Sequence, residues 1–173
     1  MGAPPGIITS VNVGEPRIVR WFGRDVETAI WKSPVSGRIS VAGVNLAGDS
    51  QVDLRVHGGP DKAVYAYAAE DYRWWSARLG RMLEPGTFGE NLTTSGVDLA
   101  AVVEGERWQA GSAVLEARQP RQPCFKLGIR MGAADFVDRF KAAGRLGRYF
   151  AIVGDGDVGA GDAMVPLSYG AAR

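Results

Sequence analysis

Short apolar or alternating runs, each broken off by glycine or proline, dominate the chain and predict strands. Ile7–Val13 and Arg17–Trp21 flank a turn at Gly14-Glu15-Pro16. Val26–Trp31 is stopped by Pro34, and Arg38–Val44 runs on toward Gly48-Asp49. Ala63–Tyr67 is apolar and aromatic, and Ala113–Arg118 alternates two faces. Arg148–Val153 and Ala163–Leu167 follow, separated by a turn at Gly154-Asp155-Gly156. Only two stretches keep a helical period. Glu70–Leu79 places Tyr72, Trp75 and Leu79 on one face before Gly80, and Ala133–Ala143 places Phe136, Val137 and Phe140 on one face before Gly144. Strands outnumber helices and do not alternate regularly with them. The expected fold is therefore mainly β (β-rich α+β), a barrel-like domain with a few peripheral helices rather than a doubly wound sheet.

Composition narrows this picture. A chain of 173 residues suits a single domain, here 1–173 with a core of roughly 7–167, and needs no disulfide to bury a core. Twenty Lys and Arg against nineteen Asp and Glu leave a net charge of +1, which gives no electrostatic footprint for duplex nucleic acid. An anionic ligand must instead meet a local group of cations. Met1–Gly6 lacks the regions of a signal peptide, and no apolar run approaches the ~20 residues of a membrane span. A cytoplasmic protein is expected, and one unpaired cysteine is compatible with that.

That cysteine, Cys124, lies in Arg118-Gln119-Pro120-Arg121-Gln122-Pro123-Cys124-Phe125-Lys126. Neighbouring cations favour the thiolate, the form that attacks electrophiles and binds metals, and the prolines predict a stiff loop. Such a thiol can equally be a small buried hydrophobe. Other clusters with chemical potential are Trp31-Lys32-Ser33-Pro34, a cation and a hydroxyl at a strand end, and His57-Gly58-Gly59-Pro60-Asp61-Lys62, which holds the sole histidine and a pair of glycines that admit close backbone approach. Gly89-Glu90-Asn91 offers an acceptor, an amide donor and backbone at a strand edge, and Val158–Asp162 reads as a structural turn. One His and one Cys are too few for a structural zinc, and no Walker A, Gly-x-Gly-x-x-Gly or Gly-x-Ser-x-Gly motif is present.

Taken in order, Thr28–Pro34, Gly48-Asp49, His57–Val64, Phe88–Leu92, Gln119–Cys124 and Ala160–Asp162 resemble the MOSC family, the domain type found at the C-terminus of molybdenum cofactor sulfurases, and within it the stand-alone bacterial YiiM-like branch. The resemblance implies a β-barrel fold and a molybdenum cofactor (molybdopterin), with Cys124 matching the cysteine that ligates the metal or carries sulfur. It implies a cofactor-binding set of Lys32, Ser33, Gly58, Gly59, Lys62, Glu90, Asn91, Arg118 and Arg121. Cations in that set suit a phosphate, and a thiolate suits a polarizable metal.

The activity implied is reduction of small N-hydroxylated compounds such as hydroxylamino base analogues and amidoximes. Cys124 and His57 would then be catalytic, with Asp61 or Glu90 as alternative proton donors if burial raises their pKa. No cysteine pattern for an iron–sulfur cluster and no flavin motif is seen, so a separate electron-donor protein is expected. An alternative is a carrier that holds the cofactor, or a persulfide on Cys124, for another enzyme. A third is a metal-free thiol enzyme using Cys124 and His57. Longer YiiM-like proteins carry an extra helical C-terminal segment, whereas only Ser168–Arg173 follow Leu167 here.

Overall fold

The computed structural model describes residues 5–52 and 58–168. In chain order its elements are β1 (Gly6–Val13), β2 (Arg17–Trp21), β3 (Arg24–Thr28), β4 (Ser33–Pro34), β5 (Ile39–Ala42), β6 (Asn45–Leu46), β7 (Val64–Ala68), α1 (Ala69–Leu79), β8 (Leu92–Ser95), β9 (Arg107–Ala110), β10 (Ala113–Pro120), α2 (Phe125–Met131), α3 (Phe136–Ala143), β11 (Arg148–Gly154), β12 (Gly156–Val158) and β13 (Ala163–Pro166).

Strands β1, β8, β7, β11, β10, β9 and β13 pair in that order, and β13 returns to β1, closing a barrel. Closure leaves no free edge along the ring. All of these pairings are antiparallel except β7–β8, where α1 supplies the long crossover that a parallel pair requires. Two smaller sheets, β12-β5-β6 and the β2–β3 hairpin, lie outside the ring, and β4 pairs with the end of β1 at Asn12 and Val13.

Alternation along β7 explains why the sequence there is apolar throughout. Val64, Ala66 and Ala68 join the core formed with Ile8, Leu115, Phe150 and Met164, whereas Tyr65 and Tyr67 enter a second, aromatic core. That second core holds Tyr72 and Trp75 of α1, Leu127 of α2 and Phe136 and Phe140 of α3, so the helices cover one wall of the barrel. Trp75, Phe88, Phe136 and Phe140 meet there in stacked, edge-on and tilted pairs with centroids 5.0–6.2 Å apart.

The expected class, mainly β and barrel-like with peripheral helices, is the class observed. Details differ. The Val26–Trp31 strand ends at Thr28, and the Arg38–Val44 strand breaks into β5 and a turn. The segment expected to be a stiff loop around Cys124 leads directly into α2, with Cys124 in an extended conformation as its N-terminal cap residue. Pro120 and Pro123 do not oppose this helix, because both precede its first turn. The Val158–Asp162 turn is structural as expected. Its Gly161 N–H donates to Ile8 at 2.7 Å and its Asp162 carbonyl accepts from Ile8 N–H at 2.8 Å, joining it to β1.

Candidate functional site

An open cleft of about 650 Å³, mouth included, is lined by Lys32, Gln51, Lys62, Tyr65, Asn91, Arg121, Cys124, Lys126 and Tyr149, with Thr28–Ile30 forming one side. Its chemistry is one-sided. Four cations line it, and no carboxylate does so among the described residues. A chain with a net charge of +1 thus concentrates positive charge at one place, beside its single thiol.

Each group arrives by a distinct local device. Cys124 is half-buried at the start of α2, where its carbonyl accepts from Leu127 N–H at 2.9 Å. Arg121 is buried; it donates through Nη1 to the Phe88 carbonyl and lies over the Tyr65 ring at 4.8 Å. Lys62 ends a single 3-10 turn, Pro60–Lys62, that follows Gly59, and Gly59 takes φ 89°, a conformation that favours glycine. Gln51 secures that turn by accepting from Gly59 N–H at 3.0 Å and donating to the Lys62 carbonyl at 3.3 Å. The Lys62 ammonium then lies 5.6 Å from the centre of the Tyr149 ring.

Lys32 is held from below. Its Nζ lies 2.5 Å from Asp49 Oδ1, and their side chains are 9% and 2% exposed. Asp49 also accepts from Gly14 N–H at 2.9 Å and from Asn91 Nδ2 at 2.8 Å. Asn91 in turn accepts from Tyr65 N–H at 3.0 Å and donates its own N–H to the Tyr65 carbonyl at 2.8 Å, so its side chain and backbone bind β7 as a strand partner would. Gly86 (φ 87°) permits the close approach behind Lys32, since a Cβ there would stand 2.4 Å from the Lys32 carbonyl oxygen.

Glu90 lies beneath the cleft and not on its lining. It is fully buried and accepts from Gly86 N–H at 2.7 Å and from the Tyr72 and Thr93 hydroxyls at 2.8 Å each. Burial raises its carboxyl above the ordinary range, against the lowering effect of these donors. Its geometry makes it a positioning residue for the Gly86–Asn91 segment.

Of the residues expected at the site, Lys32, Lys62, Asn91, Arg121 and Cys124 therefore share one cleft. Ser33 is exposed in β4, next to Lys32 but off the lining; Gly59 shapes the turn before Lys62, and neither it nor Gly58 lines the cleft. Arg118 is not brought in: its Nε lies 2.8 Å from Asp61 and its Nη1 2.6 Å from Glu116. Asp61 is exposed and holds that pair, so it too stands apart from the lining. His57 lies outside the described residues. Gln51, Tyr65 and Tyr149 were given no role from the sequence, and Asp49 was counted in the matching Gly48-Asp49 segment without a role of its own. Asp49 was hidden as a turn residue after Gly48, and the two tyrosines within apolar strands. Their signal is a hydroxyl on the helix-facing side of β7 and β11.

None of the described helices is long and apolar enough to cross a membrane. A family model of the MOSC domain matches residues 53–165. The uncharacterized protein YflK of Bacillus subtilis (strain 168) is 39% identical over 163 residues, covering 94% of this chain and 74% of that protein. A protein named "Reductase" from Gibberella moniliformis is 30% identical over 165 residues, which are 92% of this chain but 29% of that protein. Among solved structures, YiiM from Geobacillus stearothermophilus superposes with a TM-score of 0.76 at 33% identity, covering 97% of this chain and 78% of that one.

Proposed function

Because this chain belongs to the MOSC domain family, and within it is similar to YiiM-type members, we propose that it is an oxidoreductase that holds a molybdenum cofactor at Cys124 and reduces small N-hydroxylated compounds. One observation carries the reading. The only thiol of the chain opens into a cleft lined by Lys32, Lys62, Arg121 and Lys126 and by no carboxylate among the described residues. The donor set fits the cofactor: a soft sulfur ligand suits the metal, and clustered cations suit an anionic pterin phosphate. A relative named as a reductase supports a redox role.

When bound, the cofactor supplies the two-electron change of the reaction. The overall balance is R–NHOH plus two electrons and two protons giving R–NH2 and water, with the N–O bond broken. The chain's own residues do the rest. Cys124 anchors the cofactor, the lysines bind its anionic portion, and Arg121, fixed by the Phe88 carbonyl, keeps a permanent positive charge at the inner wall. Protons must reach the departing oxygen. Proton-bearing groups on the described lining include the Lys62 and Lys126 ammoniums and the Tyr149 hydroxyl; the Tyr65 hydroxyl donates to the Leu146 carbonyl at 2.7 Å. His57 is the further proton donor in this reading. Electrons come from a separate donor protein.

The test is metal and pterin content of protein made in a cofactor-producing host, then turnover of hydroxylaminopurine with a chemical reductant. The wild type should carry molybdenum and pterin and yield the amine, and Cys124→Ser should lose metal and turnover together. A Cys124→Ser protein with full turnover refutes the assignment. A loaded wild type inert toward several N-hydroxylated substrates moves the function to cofactor or sulfur delivery.

A further inference from the structure

A second group of cations stands beside the cleft and is not used in the reading above. Trp31 lies between Ile30 and Lys32, both on the cleft lining. The guanidinium carbons of Arg17 and Arg130 lie 5.0 and 5.5 Å from the centre of its ring. Arg17 opens the projecting β2–β3 hairpin and Arg130 sits in the last turn of α2. Arg130 follows Cys124 by six residues, about 9 Å along a helix at 1.5 Å per residue.

Two properties make this more than a solvated surface. No carboxylate pairs with Arg17, Arg81 or Arg130 among the described residues, although nine such ion pairs form elsewhere. The Nε–H of Arg130 is shielded from water and has no hydrogen-bond acceptor. A buried donor without an acceptor carries a desolvation cost that a ligand can remove. Burial lowers the proton affinity of Arg130, as do the positive charges of Arg81 and Arg17, against the opposing effect of Tyr72 and Glu90.

We propose that Arg17 and Arg130, both lying over the Trp31 ring, form a binding site for a phosphate group beside the Cys124 cleft. Guanidinium forks match phosphate oxygens in bidentate geometry, and two positive charges call for an anion of more than one charge, which a monocarboxylate does not supply. The Arg17 side chain is exposed and meets a ligand from solvent, while Arg130 brings a shielded Nε–H that has no acceptor of its own. The phosphate belongs either to a nucleotide reaching toward Cys124 or to a free anion. This inference rests on the rim alone and holds whether or not the redox reading does.

Titration calorimetry on the full chain, without metal and at low salt, tests it with inorganic phosphate, diphosphate and guanosine monophosphate. Diphosphate should bind more tightly than phosphate. Arg17→Gln and Arg130→Gln should each weaken it by about tenfold or more, the loss of a charged hydrogen bond. Arg20→Gln, on the same hairpin but paired with Asp25 at 2.8 Å, should change nothing. Because Arg17 is exposed, Arg17→Gln should fold as the wild type does, and in phosphate-free buffer its melting temperature should not fall. Alkylation of Cys124 separates the two sources. Protection by the nucleotide but not by diphosphate marks a nucleotide that spans both sites; protection by neither marks a separate anion site. Absence of diphosphate binding to the wild type, or equal binding by all three variants, overturns the proposal.

Discussion

Replacing Asp49 with asparagine removes one charge and almost no volume, yet it should be among the most destabilising single changes available in this chain. The carboxylate accepts from three donors, Lys32 Nζ, Gly14 N–H and Asn91 Nδ2, on its two oxygens. An amide keeps one oxygen. Whichever way the substituted side chain turns, its NH2 must face either Asn91 Nδ2 or the Lys32 and Gly14 donors. The Lys32 ammonium, whose side chain is 9% exposed, also loses its counter-charge. Breaking one side of a buried ion pair costs about 3–5 kcal/mol. For a chain of this length 1 kcal/mol moves the melting temperature by about 2–4 °C, so the drop should be about 6–20 °C. Thermal unfolding followed by circular dichroism reads it directly. A double-mutant cycle with Lys32→Gln locates the effect: the paired variant should be less destabilised than the sum of the single ones. An Asp49→Asn protein melting within about 2 °C of wild type, less than the effect of 1 kcal/mol, or a strictly additive cycle, would show that Lys32 does not depend on Asp49.

Two further outcomes follow from the groups below the cleft. The folded-state pKa of Glu90 is raised by burial, so the unfolded chain releases this proton first as pH rises; stability is therefore lost from the unfolded-state value of about 4.3 up to the folded one. Urea midpoints at pH 4 and pH 8 should show Glu90→Gln gaining relative to wild type at the higher pH, and a constant difference would refute the raised value. Gly86→Ala forces a side chain into φ 87° and a Cβ to 2.4 Å from the Lys32 carbonyl, so it should cost about 2 kcal/mol or more and slow any chemistry that depends on Lys32; an unchanged denaturation midpoint would count against that contact.

What could be read from the chain before its structure divides along physical lines. Strands with alternating or apolar patterns were legible, and so were α1 and α3, whose aromatic residues recur at helical spacing. β8 was not, because Thr93 and Thr94 are polar yet buried, and the bonds of Thr93 come from distant β1 and from Glu90. α2 was not, because its seven residues follow two prolines that dominate the local signal. The site divides in the same way. Lys32, Lys62, Asn91, Arg121 and Cys124 stood out as motif residues and do meet in one cleft. Arg118 shared the motif but is taken by Asp61, a partner 57 positions away, and local sequence does not reveal such a pairing. Asp49 reverses the case: it looks like a turn residue and becomes the anion on which Lys32 and Asn91 converge.

Closure of the barrel has a consequence for how the chain reaches this state. Gly6 and Ile7 pair with Met164 and Ala163, so the seam joins residues far apart in the sequence. Contacts of such separation require large loops to be closed before they are rewarded, which places this fold toward the slow end of the kinetic range for its size. During synthesis β1 emerges long before β13, and until then the edge of β1 that β13 covers is unpaired. Barrel closure thus waits for β13, and the interval before it is the period in which the nascent barrel is most exposed to wrong partners.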